Sequence, residues 1–131
     1  MSTMKILSDD DLPPASAAVF ADIRATRKTD FVNNFWRALA HDPALLQRTW
    51  EGVKATMAPG ALDPLTKELI YVAVSIANNC EYCIRSHAAA ARAKGMSEAQ
   101  FMELLAVIGM ASETNRLATG LQVPVDAAFR T

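Results

Sequence analysis

A chain of 131 residues is long enough for one domain with its own core. With 51% hydrophobic and 21% charged residues, and only 5 Gly and 6 Pro, the composition excludes a disordered or fibrous protein. The formal net charge is -1 and no basic block tracks along the chain, so no nucleic-acid partner is expected.

A single domain over residues 1–131 is expected, with residues 1–12 as a loose or partner-bound arm. Met1 to Lys5 runs into Asp9-Asp10-Asp11 without the apolar run of a secretory signal. The longest uncharged apolar stretch, Leu69 to Ala77, is far too short to span a bilayer. No membrane association and a cytoplasmic location are the expectations.

The periodicity predicts an all-α chain. Pro13-Pro14 opens a first helix through Val19, Phe20 and Ile23 toward Arg27. Asp30 is placed to cap a short second helix with Phe31, Phe35, Trp36 and Leu39 on one face. Asp42-Pro43 starts a third, an N-cap followed by proline at the first helical position, which carries Leu45, Leu46, Trp50 and Val53 to about Met57. Trp36 and Trp50 are expected in a core or a subunit interface, and His41 is read as structural.

Asp63-Pro64 repeats the start signal. Apolar residues then appear on every side of the helix, so it is expected to be buried all round. Asn78-Asn79 ends it and is placed to cap the next helix, which carries Cys80, Cys83 and His87 and closes at Lys94-Gly95. Ser97 and Gln100 make a capping box for a last helix from Phe101 to about Ala111 or a little further. The helices on either side of Asn78-Asn79 form the expected central antiparallel pair.

The chemistry concentrates between Glu68 and His87. The chain's two cysteines are Cys80 and Cys83, and three- and four-residue spacings put Cys80, Cys83 and His87 on one helical stripe. Both cysteines fall at a helix start, where unpaired N–H groups and the positive end of the dipole favour a thiolate. An ordinary cysteine is only roughly 3% thiolate at pH 7, and His87, one turn after Cys83, is placed to take its proton. Cysteines three apart in a regular helix hold their Cβ atoms roughly 5–6 Å apart, and a disulfide needs about 3.8 Å, a gap that a tightened first turn closes.

Glu68 is a carboxylate in an otherwise apolar helix and so needs a partner. In an antiparallel pair it lies roughly 15 Å back from the turn and His87 about 12 Å beyond it, at ~1.5 Å per residue. The two can therefore meet, directly or through one water, and Glu68 would hold His87 in the tautomer that accepts the Cys83 proton. A zinc site built from Cys80, Cys83, His87 and Glu68 is the competing reading of the same residues, weakened because such sites draw ligands from a second segment. Tyr82, between the cysteines, reads as packing, since a phenol is a poor base at neutral pH.

Glu68, then Cys80-Glu81-Tyr82-Cys83 beginning twelve residues on, then His87 after three more, resembles the AhpD-like branch of the carboxymuconolactone decarboxylase family. The segments Ala38 to Pro43, Lys94 to Ser97 and Asn115 to Ala118 are also similar, and the resemblance covers roughly residues 15 to 127. It implies an AhpD-like helical domain assembled as a homo-oligomer, a trimer or hexamer. It implies hydroperoxide reduction with Cys83 as the peroxidatic thiolate, Cys80 as the more exposed resolving cysteine, and Glu68 and His87 as the proton relay. No bound cofactor or metal is implied; an external dithiol, such as a lipoyl or thioredoxin-like protein, is the expected reductant. The alkylhydroperoxidases carry a second histidine just before the second cysteine, where this chain has Tyr82. The family's true decarboxylases lack the cysteine pair, so lactone decarboxylation is not expected. The other functional readings are a thiol–disulfide oxidoreductase or redox sensor without peroxidase turnover, and a non-catalytic oligomeric binding protein.

Overall fold

The structure, a computed structural model, describes residues 1–130. Its described residues form six α-helices and no strand: α1 (Pro14–Arg27), α2 (Asn34–Leu39), α3 (Pro43–Met57), α4 (Pro64–Ala77), α5 (Glu81–Ala93) and α6 (Glu98–Gly120). Short 3₁₀ turns stand at Asp9–Asp11 and Ala127–Phe129. The all-α expectation therefore holds. No helix among the described residues is long and apolar enough to cross a membrane.

The start signals work as side-chain chemistry predicts. Asp42 accepts hydrogen bonds from the N–H groups of Ala44 and Leu45 at 3.1 and 3.0 Å, ahead of Pro43. Asp63 accepts from the Thr66 N–H at 2.9 Å, ahead of Pro64. Ser97 and Gln100 close a reciprocal capping box.

Two expected boundaries are corrected. Helix α2 begins at Asn34, so Phe31 lies outside it, 67% exposed, and Val32 is the buried residue there. The reason is Arg24 and Arg27. The first donates to the Asp30 carbonyl at 2.9 Å and the second to the Asn33 side-chain oxygen at 2.8 Å, holding the chain non-helical through that stretch. Helix α6 runs to Gly120, well past Ala111, because no strong stop intervenes. The Thr114 hydroxyl bonds back to the Met110 and Ala111 carbonyls and so does not compete with the helix.

The chain falls into two compact units, Met1–Ala58 and a second beginning at Pro59. In the first, Phe20, Ile23, Leu46 and Ala40 are fully buried and the Trp36 and Trp50 rings meet edge to face at 5.5 Å. The N-terminal arm is not loose. Leu7 joins this core, Arg37 donates to the Leu7 carbonyl at 2.9 Å, and Asp9 pairs with Arg24 and Arg37.

In the second unit, α4 packs along α5 and, over a smaller area, against α6. The Cys80 N–H bonds to the Ser75 carbonyl, while Glu68, further back, reaches His87 and Lys94, further on. The two helices are therefore antiparallel. Helix α4 is not buried all round within the chain: Val72 is fully covered, but Ile70 and Val74 are 47% and 53% exposed. Its packing is mainly against α5 and less against α6, which leaves these two side chains partly uncovered.

Candidate active site

The turn between α4 and α5 is built by Asn78, Asn79 and Cys80. Asn79 takes the left-handed conformation at φ 56°, which asparagine tolerates better than most residues. Its N–H bonds to the Ile76 carbonyl at 3.1 Å and the Cys80 N–H to the Ser75 carbonyl at 2.9 Å, the paired bonds of a Schellman C-cap. The same turn starts α5. The expectation that the asparagines cap α5 is corrected: the cap is Cys80 itself, whose sulfur accepts the Cys83 N–H at 3.3 Å. Cys80 thus stands just outside the helix, with non-helical backbone, and not in a tightened first turn. Its Cα lies 5.3 Å from that of Cys83, and the two sulfurs are joined in a disulfide. Both cysteines are half-buried, and Tyr82 between them is exposed.

One turn beyond Cys83, half-buried His87 presents Nδ1 directly to Glu68 Oε2 at 2.7 Å. Glu68 is only 5% exposed, and its other oxygen, Oε1, accepts from Lys94 Nζ at 3.0 Å. Burial pushes this carboxyl up, but hydrogen bonds from His87 and Lys94, together with their charges, pull harder and hold it below the ordinary glutamate range. Glu68 is therefore a carboxylate at neutral pH. A carboxylate only accepts, so His87 donates to it from Nδ1, and in the neutral tautomer with that proton Nε2 carries the free lone pair. Tyr71, one turn after Glu68 on α4, stacks on the imidazole with centroids 3.7 Å apart and planes at 18°.

The four residues singled out from the sequence thus lie on one antiparallel helix pair, with Glu68 touching His87 and Cys80 bonded to Cys83. Lys94 and Tyr71 were missed. Their signal was spacing: Lys94 follows His87 by seven residues and Tyr71 follows Glu68 by three, each on the same helical face as its partner. Lys94 read only as a cation at a helix end. Among the described residues, no group of three or more His, Cys, Asp and Glu side chains is placed to hold a metal ion.

Residues 43–126 match the sequence model of the carboxymuconolactone decarboxylase family. A crystal structure titled alkylhydroperoxidase AhpD core, from Rhodospirillum rubrum, is 60% identical, covers 100% of this chain with 98% of its own, and superposes with a TM-score of 0.97. A Paracoccus denitrificans protein described as uncharacterized protein 4 in cox locus is 35% identical over 99 residues, 76% of this chain and 75% of its own length.

Proposed function

We propose that this chain, which belongs to the carboxymuconolactone decarboxylase family, is a thiol-dependent hydroperoxide reductase. The observation that carries the reading is the 2.7 Å hydrogen bond between buried Glu68 and His87, on the helix that also holds the Cys80–Cys83 pair. A carboxylate that fixes an imidazole tautomer one helical turn after a dithiol cysteine is the equipment of a nucleophilic cysteine. The solved relative titled alkylhydroperoxidase supports the substrate class.

The cycle begins with the reduced dithiol. His87 Nε2 takes the Cys83 proton, and the thiolate attacks the distal peroxide oxygen. The O–O bond breaks, Cys83 becomes a sulfenic acid, and the alkoxide leaves as alcohol with the proton returned by His87. The Cys80 thiol then attacks the sulfenic sulfur, which forms the disulfide and releases water. An external dithiol, of the lipoyl or thioredoxin-like kind, reduces that disulfide by exchange and is itself oxidised to a disulfide. No cofactor enters this cycle. Replacing Cys83 by Ser is expected to abolish dithiol-dependent peroxide consumption, a fall of at least about 100-fold in kcat/KM; unchanged turnover would reject the role.

Thiol–disulfide exchange without peroxide turnover is the second reading, favoured by the disulfide closed at the start of α5. Stopped-flow mixing of reduced protein with hydroperoxide separates the two, since only the peroxidase must be oxidised quickly. The protein is also proposed to work in the cytoplasm as a homo-oligomer, trimer or hexamer. No residue of helix α6 is fully buried within the chain, and its Met102, Val107, Met110 and Leu117 are each more than half exposed.

A further inference from the structure

Resting on the peroxidase reading above, we propose that Lys94 is a positioning residue of the site: it supplies the countercharge of Glu68, so that His87 is free to act as a neutral base. Glu68 is nearly sealed from water and its two oxygens are divided between two donors, Oε2 to His87 at 2.7 Å and Oε1 to Lys94 at 3.0 Å. A buried carboxylate needs a positive partner. With Lys94 in place, the carboxylate and the ammonium cancel, and the imidazole adds a hydrogen bond without having to add a charge. With Lys94 gone, the ammonium on Oε1 is lost and the imidazole on Oε2 must answer the carboxylate's charge, so the pair keeps a proton on His87 to higher pH. A protonated His87 has no lone pair for the Cys83 thiol.

The placement of Lys94 is built into the backbone. It is the C-cap of α5, followed by Gly95 at φ 96° and buried Met96. The Gly95 and Met96 N–H groups bond to the Arg92 and Ala91 carbonyls at 3.0 Å each, the paired bonds of a Schellman cap. The cap anchors the Lys94 backbone, seven residues past His87 on the same face. The other charges nearby are committed elsewhere. On α5, Glu81 pairs with Arg85, and Arg92 pairs with Glu98 of α6. On α4, Tyr71 meets His87 by its ring face. The remaining charges of α6, which also packs on α4, are Glu103, Glu113 and Arg116, and none forms an ion pair with the trio.

The test is a pH titration of the imidazole ¹⁵N and ¹³C chemical shifts in the disulfide form, for wild type, Lys94→Met and Lys94→Arg. The chain has 2 histidines, so His41, in the other unit, serves as the internal reference. Lys94→Met is expected to raise the His87 midpoint by about one pH unit, a tenfold change in proton affinity. The effect is held to that size because Lys94 is 39% exposed and its charge is partly screened. Lys94→Arg, which keeps the charge, is expected to restore the wild-type midpoint, and His41 is expected not to move. A His87 midpoint equal in wild type and Lys94→Met overturns the proposal, as does a failure of Lys94→Arg to differ from Lys94→Met. Should Lys94→Met not fold, Lys94→Gln removes the same charge with a polar end and is read by the same criteria. Because the titration needs no turnover, a wild-type protein that consumes no hydroperoxide would sink the peroxidase reading while leaving this result legible.

Discussion

Glu68 joins the proposed acid–base chemistry to the stability of the fold. Burial alone would raise its carboxyl, but the bonds and charges of His87 and Lys94 reverse that, so the folded value lies below the ordinary glutamate value. A depressed carboxyl contributes stability that is fully present above its unfolded value and is lost as pH falls through the folded value. Denaturant midpoints of wild type and Glu68→Gln are therefore expected to differ clearly at pH 7 and to converge as the pH falls through the folded value of the carboxyl. A gap that persists unchanged at pH 3 would mean that packing, and not the charge, is what Glu68 supplies. His87 sits between two constraints, the carboxylate along its edge and the Tyr71 ring against its face. Tyr71→Ala is accordingly expected to lower kcat/KM for peroxide by roughly 10-fold through a loosened imidazole, with Tyr71→Phe near wild type because only the ring stacks.

The site's precision rests on two helix ends with the same hydrogen-bond pattern, one starting α5 and one finishing it. Asn79, at φ 56°, reverses the chain and sets Cys80 as cap. Replacing Asn79 by Gly is expected to be neutral or stabilising, and by Val to cost roughly 1–2 kcal/mol. Gly95 holds φ 96° with nothing within 4 Å of where a Cβ would stand, so Gly95→Ala carries a backbone cost alone, about 1 kcal/mol. Urea unfolding measures both. At the start of α6, Ser97→Ala breaks the capping box and is expected to cost about 1 kcal/mol by the same assay.

At the scale of the molecule, the two units divide labour. The unit through Ala58 holds the larger apolar cluster, with both tryptophans, and the unit from Pro59 holds the dithiol, Glu68, His87 and Lys94. Phe20→Ala, at a fully buried position of the first, is expected to cost roughly 3–5 kcal/mol in unfolding free energy. The second unit leaves much apolar surface on α4 and α6 uncovered within one chain. Exposed stretches of that kind mark association surfaces. Light scattering is expected to give an oligomer for wild type and a smaller species for the double variant Met110→Glu, Leu117→Glu. A monomeric wild type would remove the oligomer from the account.

The sequence by itself determined what depends on near neighbours. Proline at the first helical position after an aspartate started α3 and α4, Ser97 with Gln100 started α6, and three- and four-residue spacings aligned the cysteines with His87. Even the meeting of Glu68 with His87 was legible, because two residues at similar distances from a short turn must come level when the helices run antiparallel. Tertiary structure decided what depends on which partner wins. Arg24 and Arg27 outcompeted helix formation between Asp30 and Asn33, and one left-handed asparagine shifted the cap of α5 onto Cys80. Lys94 and Tyr71 joined the site through faces set only when α4 and α5 packed. A single chain's pattern marks a side chain as apolar or charged, but the identity of its neighbour is a property of the packed pair.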